Sequence, residues 1–125
     1  MAKPTKTTLT DKHLEYFKER VLFWCYRFGQ VGWQLDIEWT KPDDENHEIA
    51  SCRYNGDNKR ASICLSRTWT EPVTNASLNR YAFHEVLHLF FANLVDFANE
   101  NAPKGVDANR IEHEMIRTLE NIILD

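Results

Sequence analysis

Three residues in the stretch HEVLH, namely His84, Glu85 and His88, have the types and the spacing to hold a metal ion and move a proton. On a helix, residues four apart share a face and are separated by about 6 Å along the axis, so the two imidazoles can converge on one ion. Zinc accepts imidazole nitrogen at about 2.0–2.1 Å. Glu85 is rotated about 100° from His84, which keeps it off the same bonds but lets it reach an activated water, the position of a general base. Chance alone places an HExxH pattern in roughly two per cent of chains with this many histidines and glutamates, so its setting must decide what it means.

That setting is a helix expected from about Asn75 to Ala98 and apolar on nearly every side. Such a helix is buried between other elements, where structural histidines are uncommon. The competing reading is a pair of hydrogen-bonded core imidazoles. Tyr81 lies three residues before His84 and Ser77 one turn earlier on that face. Tyr81 could donate to a developing oxyanion, although an aromatic at helical spacing is more often core.

A tetrahedral catalytic site needs a third protein ligand and keeps one position for water. The candidates are Glu112, His113 and Glu114 in RIEHEMIRTLENIIL. The apolar residues Ile111, Met115, Ile116, Leu119, Ile122 and Ile123 define one broad helical face, and a rotation of about 100° per residue puts Glu112 near its centre. A carboxylate there needs a compensating partner, either a metal ion or a cation such as Arg80. His113 and Glu114 fall outside the stripe and are expected to face solvent.

The elements that position these residues follow from periodicity. From Leu14, apolar residues recur at Phe17, Val21, Trp24, Cys25 and Phe28 as one helical face, with Thr10 as cap, Leu9 and Leu14 as a staple and Gly29 as stop. Trp33, Leu35, Ile37 and Trp39 alternate with polar residues, the period of a strand with one buried face. A second strand is expected around Ile49 to Tyr54 after the acidic stretch KPDDENHE, and a third from Arg60 to Ser66, the two joined as a hairpin. Asp107 can cap a last helix, with Val106 and Ile111 as its staple.

Length and composition bound the rest. With 125 residues, 42% hydrophobic and 27% charged, the chain fits one folded domain. A formal charge of -4 argues against a nucleic-acid partner, and the cluster of Arg53, Lys59 and Arg60 reads as a solvated hairpin. Three cysteines, Cys25, Cys52 and Cys64, are odd in number and lack CxxC spacing, which fits reduced thiols. No segment offers the roughly 20 apolar residues that a bilayer demands, so no membrane partner and a cytoplasmic setting are expected.

With HEVLH at 84 to 88 and the later IEHEMIRTLE, the sequence resembles minimal zinc peptidases of the gluzincin type, including SprT-like domains and small phage-encoded metallopeptidases. The resemblance spans most of the chain from about Thr10, while its specific letters are confined to those two stretches. It implies an α+β, zincin-like minimal domain over residues 10–125, preceded by a flexible terminus at 1–9. The implied order is an N-terminal helix, a three-stranded and mostly antiparallel sheet, the HExxH helix and a C-terminal helix. It further implies Zn2+ held by His84, His88 and Glu112, with Glu85 as base and a peptide or protein substrate laid along the sheet's edge strand. The larger gluzincins place an aspartate four residues after the ligand glutamate, whereas this chain has Ile116.

The expected activity is hydrolysis of peptide bonds by a zinc-activated water, the strand around Ala61 to Ser66 pairing with the substrate if it is the edge nearest the metal. The rival from another class is a zinc-stabilised binding or regulatory module with little turnover.

Overall fold

The computed structural model describes residues 5–42 and 48–124. Most of the acidic stretch after Lys41 therefore lies outside the described residues, as does the start of the N-terminal segment. The fold is α+β, with four helices and two small sheets among the described residues. Among the described residues, no helix is long and apolar enough to cross a membrane.

The first strand, β1 (Thr7–Thr8), pairs antiparallel with β5 (Thr68–Trp69). Leu9 follows it into the core at 2% exposure, and its N–H donates to the Arg67 carbonyl at 2.7 Å. The terminus expected to be flexible is thus tied down from Thr7 onward. Two threonines suit a short strand, and the apolar side chain after them anchors the pairing. Helix α1 (Asp11–Arg27) begins at Thr10, whose N–H donates to His13 Nδ1 at 2.9 Å, and stops at Gly29, which has a positive φ of 68°.

The main sheet joins β2 (Gln34–Trp39), β3 (Ala50–Asn55) and β4 (Arg60–Leu65) in the spatial order β2-β4-β3. β3 and β4 form the antiparallel hairpin, whereas β2 runs parallel to β4, with Gln34 opposite Arg60 and Trp39 opposite Leu65. This corrects the mostly antiparallel arrangement and the place of the Ala61 to Ser66 strand, which is central and has no free edge. The reason is burial: Ala61, Ile63 and Leu65 are 5%, 0% and 0% exposed, more cover than an edge strand receives. The edges are β2 and β3.

One face of this sheet meets α1 and α2 (Asn75–Phe90) in the main core, where Phe17, Val21 and Cys25 pack with Leu78, Ala82 and Val86. Asn79 ties the two helices by accepting from Arg20 Nε at 2.7 Å and Trp24 Nε1 at 2.9 Å. The helix expected to run unbroken to Ala98 instead ends at Phe90, and α3 (Ala92–Asn101) restarts after Phe91. No glycine or proline marks the break, so apolar periodicity runs straight through it. The redirected α3 lies against the hairpin turn, where a Cβ on Gly56 would come within 3.0 Å of Asp96 Oδ2.

Helix α4 (Ala108–Ile123) starts at Asp107, whose side chain accepts from Arg110 N at 3.1 Å. Its staple pair stays outside the core, Val106 at 49% and Ile111 at 39% exposure. Ile116 is fully buried and packs with Phe83 and Leu87 of α2 in a second, smaller core. Ile122 and Ile123 are exposed at 71% and 44%. The buried face of α4 is therefore narrower than its isoleucines suggest and centres on residues 112, 116 and 120.

This packing carries a stability prediction. Ile116→Ala should destabilise the fold by about 2–5 kcal/mol, the usual cost of a core cavity, while Ile122→Ala should stay within about 0.5 kcal/mol. Urea denaturation of both variants measures it; equal effects would mean that α4 is docked on another face.

Candidate metal centre

His84 and His88 lie on the side of α2 that faces α4 and the β3 edge. Each gives its Nδ1 to a carboxylate of α4: His84 Nδ1 is 2.8 Å from Glu120 Oε1 and His88 Nδ1 is 3.0 Å from Glu112 Oε1. The pairing of 84 with 120 and of 88 with 112 means that the two helices run antiparallel. His113, also on α4, places its Nδ1 2.8 Å from the Asn109 carbonyl one turn earlier. All three rings therefore have one nitrogen engaged, which leaves Nε2 of each for another partner.

The three rings form a cluster. Their centroids are 5.1 Å apart for His84 and His88, 4.9 Å for His88 and His113, and 5.8 Å for His84 and His113. One ligand nitrogen from each lies within 4.8 Å of the other two, and together they could hold a metal ion. A tetrahedral zinc site sets its donors roughly 3.3 Å apart, somewhat closer than this spread. The donor set fits a borderline-soft divalent ion, and outer-nitrogen hydrogen bonds are what metal-bound imidazoles ordinarily have.

The cluster differs in one member from the expected ligand set, with His113 where Glu112 was expected. Glu112 is buried at 4% exposure, as its place on the helix implies, but its Oε1 is spent on His88 and it is not part of the three-residue cluster. Its Oε2 is buried with no hydrogen-bond partner among the described residues. Arg80, the alternative partner for Glu112, pairs with Glu120 Oε2 at 3.1 Å. Glu114 is 61% exposed and bonded to Arg110, so it points away as expected. His113 is exposed too, yet its ring lies against those of His84 and His88.

Glu120 is the residue that sequence reasoning missed, and His113 was a candidate third ligand expected to face solvent. Including Ile122 and Ile123 in the apolar stripe shifted its centre, and that shift hid the signal. Glu112, Ile116 and Glu120 stand four apart, and two acids on the buried face of one helix ask for partners.

Glu85 is 4% exposed, and burial first of all pushes its carboxyl up to about 7, with the nearby His88 acting in the opposite direction. For His84, burial lowers the pKa despite the Glu120 carboxylate. Burial acts the same way on His88, but there the hydrogen bond to Glu112 and the charge of Glu85 outweigh it and the pKa is raised. Glu85 opens, with His84, His88, His113 and Tyr81, onto a cleft of about 620 Å³ whose opposite wall is β3 from Ala50 to Arg53. Tyr81 donates its hydroxyl to Glu71 Oε1 and packs edge-on against Trp69. Ser77 is engaged in capping α2 with Thr74.

Comparison with protein-family models, with characterised proteins and with solved structures found no match for this chain. The site is therefore read from its own geometry.

That geometry separates two neighbours on α4. His113→Ala should remove most zinc bound after dialysis, whereas Glu114→Ala should leave the zinc content close to that of the unaltered chain, as atomic absorption would show. Equal zinc in both variants would take His113 out of the cluster.

Proposed function

We propose that this chain is a minimal, zincin-like zinc metallopeptidase in which His84, His88 and His113 hold Zn2+ and Glu85 is the general base. The observation that carries the reading is the convergence of three imidazoles, each hydrogen-bonded at Nδ1, beside a buried carboxyl in a cleft walled by a sheet edge. When bound, zinc supplies Lewis acidity that polarises a carbonyl and makes water a nucleophile near neutral pH.

Glu85 supplies the proton transfers. Its carboxyl borders the cleft beside the three imidazoles, placed to take a proton from the attacking water and return it to the leaving amine nitrogen as the C–N bond breaks. Burial of that carboxyl is the main reason its pKa is raised in the metal-free chain.

The sheet suggests how a substrate is laid in. Of the two edges, β2 carries the exposed acids Asp36 and Glu38, the second of which also lines the cleft, and such charge discourages strand addition. β3 carries Ala50, Ser51 and Cys52 along the cleft. An extended peptide pairing with β3 would bring its backbone past Glu85 and the three histidines, with alternate side chains reaching into the cleft.

The reading predicts that Glu85→Gln keeps zinc and fold but loses at least about 100-fold in hydrolysis of a peptide library, within the range a general base contributes, and that a chelator abolishes cleavage by the unaltered chain. Loss of zinc in Glu85→Gln would contradict the assigned role. A chain that binds zinc and cuts no library peptide would instead be a zinc-stabilised binding module.

A further inference from the structure

Helix α4 contributes more to this arrangement than His113. Glu112, Ile116 and Glu120 follow one another at four-residue intervals and so share one face. All three are buried, at 4%, 0% and 8% exposure. Ile116 sits between Phe83 and Leu87 of α2, and the glutamates on either side of it meet the histidines that follow those two residues in sequence. Eight residues of helix advance about 12 Å while His84 and His88 are about 6 Å apart, so both carboxylates lean inward over Ile116 to reach their rings.

Stability does not explain the two acids. A buried ion pair rarely stabilises a fold more than apolar residues of similar size do, and a buried carboxylate oxygen without a partner is costly. Leucine at both positions would seat α4 on α2 without that cost. What the acids provide is direction. An imidazole that donates its Nδ1 proton to a carboxylate is fixed in one tautomer and one orientation, with a bare and more basic Nε2 on the far side.

We propose that Glu112 and Glu120 are positioning residues for the metal, each holding one histidine of α2 by its Nδ1 so that both Nε2 atoms are aimed at the ion beside His113. This rests on the metal reading above. The two are built differently. Glu120 is held from both sides, by His84 and by Arg80, which lies one turn before His84 on α2. Glu112 places one oxygen on His88 and leaves Oε2 buried, without a hydrogen-bond partner among the described residues. Neither glutamate is a ligand in this arrangement, so α4 supplies the third imidazole and orients the other two.

The test uses the full chain with Glu112→Ala, Glu112→Gln, Glu120→Ala, Glu120→Gln and His88→Ala. Zn2+ affinity is measured by competition with a chromophoric chelator, and the absorption spectrum is recorded with Co2+ in place of zinc. Each alanine variant should bind Zn2+ roughly 10–100-fold more weakly. Each glutamine variant, which still offers Nδ1 a carbonyl oxygen, should recover most of that loss and keep the Co2+ spectrum of the unaltered chain. If an alanine variant does not fold, its glutamine counterpart carries the test alone. Glutamine variants as weak as alanine, with an altered Co2+ spectrum, would put the carboxylate on the metal and overturn the proposal. Alanine variants that bind as tightly as the unaltered chain would overturn it too. A different failure, His88→Ala binding as well as the unaltered chain, would strike the metal reading itself.

Discussion

Two histidines on a largely buried helix create the constraint from which the rest of this structure follows. Each imidazole is half-buried and has two nitrogens, an Nδ1 turned towards α4 that needs an acceptor for its N–H and an Nε2 left for a partner. α4 answers the first need with Glu112 and Glu120. It does so from a face that also carries Ile116, so the polar pairs and the apolar contact that docks the helices are interleaved on the same turns. A shift of α4 by one residue would break both pairs and uncover the isoleucine together, which ties the site's geometry to the packing of the fold.

The sheet serves the same site from the other side. Its most apolar strand, β4, lies in the middle, and this leaves β3 as the edge that walls the cleft opposite His84, Glu85 and His88. The parallel pairing of β2 with β4 is what makes this possible, since a simple meander would have buried β3 and exposed β4. α1 covers the sheet with Phe17, Val21 and Cys25 and fixes α2 through Asn79, so the histidine-bearing side of α2 is set by contacts on its opposite side. The Cys25 thiol is pushed up to about 11 by that burial, which suits a packing role.

Much of this was legible in the sequence because it rests on local periodicity. Alternation marked β2 and the hairpin strands, helical spacing marked α1, and the Asp107 cap marked the start of α4. Strand order was not legible, because it depends on which strand can be covered on both sides, a property of the whole sheet. The end of α2 at Phe90 was hidden by unbroken apolar residues through Phe91. At the site, the inward direction of Glu112 could be read from helical projection, but its partner could not. Whether a buried carboxylate meets a metal or the outer nitrogen of a histidine depends on an ångström or two of interhelical placement. His113 shows the reverse case: exposure on its own helix says nothing about a neighbouring helix end that it can reach.

The claim at the centre of this account is that three imidazoles, and no carboxylate, hold the metal. A crystal structure of the zinc-loaded chain, with the ion located by anomalous scattering, tests it most directly. The account predicts one ion at about 2.0–2.1 Å from Nε2 of His84, His88 and His113, with Glu112 and Glu120 still on the Nδ1 atoms. An ion bound through a Glu112 oxygen in place of His113, or no ordered ion between α2 and α4, would contradict it.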